Sequence, residues 1–438
     1  MDRPLFLNSS GAIISRIVPA PAAGGRPLSG LDLFDVVPYV EEVSIPELTI
    51  DQSAVYGDHP ENLVTLTTSN GAALTFFVDS EPGGSNTGGN GSFDDPWRSL
   101  NTASAFLACA ECTLRAAVKY VQLKIKGDTG YVSGAWSPFS YAPALILAGW
   151  GERRDLGAQA SYGAGYMFNL AGKCAYTGGV YSNCIISGGT LMQYQSAISC
   201  EMSGGGDTQY PLDTYSVMYD CRVSGAPIWT RYCYRCELEY QAGVRPFYSW
   251  YYYDTTITVQ AETATTPNMR TLCYIYSAAV DTRINASSLN TLPNDSYEVY
   301  YDVFGIPASS SVYLRNCSAY MAIAASRSYV SARLFRDYDR GVVIDGGGYT
   351  ILNSNTMVVN NSTAAATAAV GGAVYAVVRN ADFHLTASAT ASALVKSSGW
   401  WAEYETESTA LFANSCIIRR ERNTSGTSTT SSGTCPVI

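Results

Sequence analysis

Apolar and polar residues alternate in short runs through the middle of the chain, and each run closes in a small turn. Three copies are well formed: Ser182-Asn183-Cys184-Ile185-Ile186-Ser187-Gly188, Ile198-Ser199-Cys200-Glu201-Met202-Ser203-Gly204 and Tyr219-Asp220-Cys221-Arg222-Val223-Ser224-Gly225. Looser copies surround Cys236, Cys317 and Cys416. A period of two is the signature of a strand, so Cys and the residue two further on share one face while their neighbours take the other. Cys184, Cys200, Cys221 and Cys236 follow one another at intervals of 15 to 21 residues, as expected of a repeat whose units stack like upon like. The pattern predicts a solenoid with Cys and branched side chains inside and a Ser-Gly turn at the corner.

The first 73 residues differ. They lack Cys and carry the Pro-rich stretch Pro19-Ala20-Pro21-Ala22-Ala23-Gly24-Gly25. Two apolar runs, 63–68 and 72–78, flank Ser69-Asn70-Gly71, and Asn-Gly between alternating runs predicts a tight hairpin. After Phe77-Val78-Asp79 comes a glycine-rich stretch, then Asp95-Pro96-Trp97. Asp-Pro reads as an N-cap with proline in the first turn, so a helix is predicted from Trp97 to about residue 114. Residues 120–131 then alternate as a strand ending in a turn.

The stretch from Phe77 to Tyr131, with Val78-Asp79, the glycines, Asp95-Pro96-Trp97 and Ser99-Leu100, resembles the start of a right-handed parallel β-helix of the pectate-lyase-like superfamily. The resemblance implies an all-β, single-stranded right-handed parallel β-helix. It implies an N-terminal capping helix, and a small β-rich attachment module stands before it. The expected division is a module at 1–73, a lead-in strand, Gly-rich loop and capping helix at 74–115, a β-helix at 116–422, and a Ser/Thr-rich tail at 423–438. The fold alone does not choose between lyases, hydrolases, adhesins and phage spikes.

Composition narrows the choice. Charged residues are only 15% of the 438, and the formal net charge is −10, which argues against nucleic-acid binding. No apolar run reaches the roughly 18 residues needed to span a bilayer, so no membrane insertion is expected. Asn8-Ser9-Ser10 interrupts the N-terminal apolar residues before a secretory core forms, so synthesis in a cytoplasm with reduced thiols is expected.

Candidate chemistry is sparse. Cys109/Cys112 and Cys233/Cys236 are spaced as Cys-x-x-Cys but lie far apart, so buried thiols are the plainer reading, and no metal and no cofactor are expected. There are two histidines, His59 in a turn and His384 in an alternating run. Polysaccharide hydrolysis needs two carboxyls roughly 5–10 Å apart, which adjacent coils can supply, and Asp207, Asp213 and Asp220 are the candidates, near Glu201, Glu237 and Glu239. Their plain alternative is a solvated outward position. Aromatics are dense at Trp229, Tyr232, Trp250, Tyr251, Tyr252 and Tyr253, with a second group at Trp400 and Trp401; these are candidates for glycan binding or subunit contact.

Together these readings look like a bacteriophage virion protein: a tailspike-like, fibre-like or capsid-decoration appendage. It is expected to form a homotrimer, to join other virion proteins through residues 1–73 and to contact host-surface polysaccharide from the particle's exterior. A polysaccharide hydrolase or lyase on the same fold, and a bacterial adhesin or filament protein, remain the alternatives.

Overall fold

The computed structural model describes residues 39–79, 89–103, 107, 119–128, 135–136, 144–156, 161–162, 165–174, 179–187, 196–203, 216–225, 229–241, 247–260, 270–290, 299–305, 311–324, 330–335, 342–352, 356–358, 376–379, 382–386, 392–396, 400–406, 410–413, 416–423 and 430–432. It is all-β, with long and predominantly parallel pairing of the kind a β-solenoid makes. Two compact units divide the chain: residues 1–50 with 64–216, and residues 51–63 with 217–438.

In the first unit, β1 (Tyr39–Ile50) and β2 (Val64–Val78) form an antiparallel ribbon running from Tyr39 opposite Thr75 to Ile50 opposite Val64. The second half of β2 then pairs in parallel with β3 (Tyr120–Ile125), and β3 with Ala144–Gly149. Tyr166–Phe168, Val180–Ser182 and Ser196–Ile198 continue the ladder. A second ladder runs through Leu170–Cys174, Ile185–Ser187 and Glu201–Ser203. Each strand therefore pairs with the one a full coil later.

The Asn70-Gly71 turn is not made. Both residues lie inside β2, paired with Ser44 and Val43. The hairpin closes instead through residues 51–63, where Asp51 caps a short 3-10 turn and its amide donates to the Leu63 carbonyl. Gly71 serves packing: a Cβ there would stand 2.6 Å from the Tyr120 ring. Tyr120 in turn packs with Val43, Ile45, Ala73, Ile146 and Ala148. Tertiary packing overrides the local turn preference.

The helix expected from Trp97 is not supported: Trp97 forms a parallel bridge with Val78, residues 98 and 99 are bends, helical backbone is described only at 100–103 and 107, and residues 104–106 and 108–114 lie outside the described residues. Trp97 is fully buried, stacks on Phe76 at 5.1 Å and exchanges backbone hydrogen bonds with Phe77 and Asp79. Gly91, at φ +79°, must lack a side chain because its Cβ would sit 2.7 Å from the Trp97 ring.

The coils turn on single left-handed residues: Asn169, Asn183 and Ser199 in the first unit, then Asp220, Arg235, Asp254, Asp281 and Asn316 in the second, all with φ between 42 and 53°. The residue after each points inward. Cys184, Cys200, Cys221, Cys236 and Cys317 donate Sγ, and Thr255 and Thr282 donate Oγ1, to the carbonyl two residues back. In the second unit the amides of four corners donate to the next coil, from Asp220 to the Tyr234 carbonyl, Arg235 to Tyr253, Asp254 to Val280 and Asp281 to Arg315. Of the expected Ser-Gly turns, Gly225 is left-handed at φ 72°, and Gly188 and Gly204 lie outside the described residues.

Coil length is not constant. Corners lie 15 residues apart from Asp220 to Arg235, 19 to Asp254, 27 to Asp281 and 35 to Asn316. Strands lengthen with them, from three residues in Val217–Tyr219 to 13 in Val312–Ala324, and Val299–Gly305 joins as a further strand beside Arg270–Val280. In the expected tail, Thr430–Ser432 is a strand paired with Leu411, Phe412 and Ala413.

A left-handed corner costs a β-branched residue about 1–2 kcal/mol. Asp254→Val is therefore expected to lower the unfolding free energy by that amount, read as a lower denaturant midpoint at unchanged slope, whereas Asp254→Asn and Asp254→Gly stay close to the parent.

Candidate functional site

Parallel pairing without a shift puts like positions of successive coils above one another. In the second unit, Tyr219, Tyr234 and Tyr253 fall in one row and Tyr232 and Tyr251 in another, with Met218, Cys233 and Tyr252 between them on the inner face. Tyr219 and Tyr234 stack at 5.0 Å, Tyr234 and Tyr253 at 4.7 Å, and Tyr232 and Tyr251 at 5.2 Å. Tyr248 stacks on Tyr274 at 4.4 Å and Trp250 on Tyr276 at 5.5 Å. Rings stacked this way hide their faces in each other and turn edges and hydroxyls outward. Trp250 has its second face taken as well, because the Arg231 guanidinium stands 5.3 Å from its centroid.

Residues 51–63 cover part of this surface. Gln52 donates to the Tyr232 hydroxyl, the Tyr234 hydroxyl donates to the Glu61 carbonyl, and Arg315 donates to the Gly57 carbonyl. Tyr56 lies 5.6 Å from the Tyr313 ring and shares a 3.0 Å hydrogen bond with Ser277. Beneath the cover, burial pushes the Tyr232 and Tyr234 phenols up; for Tyr253 burial, with Tyr234 beside it, raises the pKa to about 12.

The candidates separate accordingly. Tyr252 faces the interior and is 1% exposed. Tyr232 and Tyr251 are buried in stacks, while Trp250 and Tyr253 are half-buried. The Trp229 backbone pairs with Tyr248, and Trp400 and Trp401 pair with Cys416 and Ile417; the side chains of these three lie outside those described. Asp207 and Asp213 also lie outside the described residues. Asp220 is a coil corner, gripped at both oxygens by Arg235 at 2.7 and 2.6 Å. That grip gives Asp220 a structural part at the corner, linking it to the corner residue of the next coil.

Among the described residues no three His, Cys, Asp or Glu side chains converge as a metal site. Cys233 and Cys236 are buried free thiols, and burial raises Cys236 well above its usual range. Cys109 and Cys112 are outside the described residues. His59 sits in a turn, its Nδ1 2.9 Å from Glu61. The His384 backbone lies in the strand Asp382–Thr386, opposite Thr350.

One aromatic cluster in the first unit escaped the sequence reading. Phe77, Phe93 and Trp150 meet edge to face at 5.3 to 5.7 Å. Phe77 is buried, whereas Phe93 is 48% and Trp150 37% exposed. Lys126 Nζ stands 4.3 Å from the Phe93 centroid and Lys124 Nζ 4.7 Å from that of Trp150. Lys124 is also paired with Glu41 at 2.6 Å, while Lys126 forms no ion pair among the described residues. The available signal was Gly149-Trp150-Gly151, a tryptophan set between glycines just past an apolar strand.

Comparison with known protein families, with curated proteins and with solved structures gave no match for this chain.

The unfolded Tyr253 phenol ionises near pH 10 and the folded one near 12. Its contribution to stability is whole below pH 10 and is lost as the pH climbs toward 12. Denaturant midpoints measured over that window are expected to fall, and to fall less steeply in Tyr253→Phe.

Proposed function

We propose that this chain is a structural appendage of a bacteriophage virion, tailspike-like, fibre-like or capsid-decorating, which contacts host-surface glycans. The observation that carries the reading is the parallel ladder whose corners, thiols and aromatic rings stack coil upon coil. Such a ladder resists bending along its axis and needs few charges to do so. Its finer form is a right-handed single-stranded β-helix of the pectate-lyase-like kind. In that form residues 1–73 attach to other virion proteins and three copies associate. For the hydrolase reading, Asp220 is the described carboxyl candidate, and it is paired with Arg235.

Glycan contact is assigned to ring faces that remain open. Sugar rings stack on free aromatic faces, and the rows of the second unit have spent theirs on one another. Phe93 and Trp150 are 48% and 37% exposed and each carries a lysine ammonium over its ring, which sets cationic and aromatic surface side by side for sugar hydroxyls or carboxylates.

Two measurements test this. Light scattering is expected to give about three times 46.9 kDa, and a clean monomer counts against the appendage. Trp150→Ala is expected to weaken adhesion to host polysaccharide about tenfold, or about 1.4 kcal/mol. Trp250→Ala is expected to lower thermal stability and leave adhesion nearly unchanged. Equal adhesion by the parent and Trp150→Ala overturns the glycan assignment.

A further inference from the structure

Asn-Gly occurs twice in the chain, at Asn70-Gly71 and at Asn90-Gly91. The step is prone to lose its side-chain amide, because glycine places no side chain in the way of its own nitrogen. That nitrogen attacks the Asn Cγ and a C–N bond forms. The side-chain nitrogen leaves as ammonia, taking the glycine amide proton with it, and a cyclic imide remains. Water then opens the imide. Cleavage of the new bond gives aspartate, and cleavage of the former peptide bond gives isoaspartate, whose main chain runs through the β-carbon. No oxidant or reductant takes part.

Among the described residues, β1 is the only ladder neighbour of Asn70 and Gly71. It pairs Ser44 with Asn70 and Val43 with Gly71, whereas the pairing of β2 with β3 begins at Ala73. A paired antiparallel strand holds ψ at about +135°, which turns the Gly71 nitrogen away from the Asn70 side chain. Closing the imide ring therefore requires breaking the pairing with β1. Two contacts add to the restraint. Ser44 Oγ donates to Asn70 Oδ1 at 3.0 Å, and the Tyr120 ring lies 2.6 Å from where a Gly71 Cβ would stand. The glycine that makes the step reactive is thus the residue that Tyr120 packing demands. Asn70 itself is exposed, so water reaches it. Asn90-Gly91 is held by other means: the Gly91 amide donates to the Asp95 carbonyl, and Asn90 Oδ1 accepts from the Ser92 amide.

We propose that Asn70 is a conformation-gated modification site, deamidated to aspartate or isoaspartate while β1 is unpaired and protected once β1 is in place. The isoaspartate product adds a main-chain atom within β2. Pairs on its two sides, Val43 with Gly71 and Ile45 with Ser69, then cannot share one register. The change therefore runs one way, and a chain that ages with β1 open loses the ability to close the ribbon.

The full-length protein is incubated at mildly alkaline pH, folded and in guanidinium. Peptides carrying Asn70 and Asn90 are followed by mass spectrometry, with electron-transfer fragmentation to separate aspartate from isoaspartate. Asn70 is expected to deamidate at least about a hundredfold more slowly in the folded protein than in denaturant. Val43→Asp, which puts a carboxylate into the packed base of β1, is expected to speed Asn70 toward its denatured rate and leave Asn90 at the parent's rate. Ser44→Ala, at an exposed position, is expected to raise the Asn70 rate about threefold by freeing its side chain. If Val43→Asp speeds both sites, that chain has unfolded as a whole and Ser44→Ala decides. Equal Asn70 rates in the folded and denatured parent overturn the gate. So does an Asn70 rate unchanged from the parent's in Ser44→Ala.

Discussion

The hydrogen bond that passes across each left-handed corner is the constraint on which the described coils depend. A strand pair can slide by two residues without turning a side chain to the wrong face. The corner prevents that slide, because a single residue at positive φ must stand above another, its amide bonded to the next coil. Asp220, Arg235, Asp254 and Asp281 are linked in this way. The following Cys or Thr then turns inward and satisfies the carbonyl two residues back. Register, interior packing and outer rows all follow from that one alignment.

Once register is locked, side-chain identity along a row becomes a material property. Aromatic residues placed in a row stack face to face, which turns Tyr219, Tyr234 and Tyr253 into a column. The column is cohesive, and for the same reason poor at stacking on sugars. Thiols placed in a row inside become small apolar fillers, with Cys317 raised to about 12 by burial and far from thiolate chemistry. A chain so built can keep a 15% charged composition because ion pairs play little part in holding its coils together.

The loop of residues 51–63 does not arise from the repeat. It gives the outer tyrosines hydroxyl partners and buries the edges that would otherwise face water. The half-exposed rings of Phe93 and Trp150 are the counterpart: aromatic surface that no loop among the described residues covers. Covered aromatics serve cohesion, and uncovered ones are available to partners.

Strand periodicity, the inward Cys positions and the all-β class were legible in the sequence, because alternation and spacing are one-dimensional properties that a parallel ladder preserves. The left-handed corners were written there too, as Asn, Ser, Asp or Arg before Cys184, Cys200, Cys221, Cys236 and Cys317 and as Asp before Thr255 and Thr282. Three matters belonged to tertiary structure alone. Asn70-Gly71 remained extended because β1 paired along it and Tyr120 packed over the missing side chain. Coil length grew beyond the early repeat because later strands lengthened and one more joined them. Which aromatics are covered was decided by a loop that lies some 170 residues from Tyr232 and Tyr234 in sequence and touches both. Local preference sets what a segment can do; the neighbour that arrives from far along the chain decides which of those options is taken.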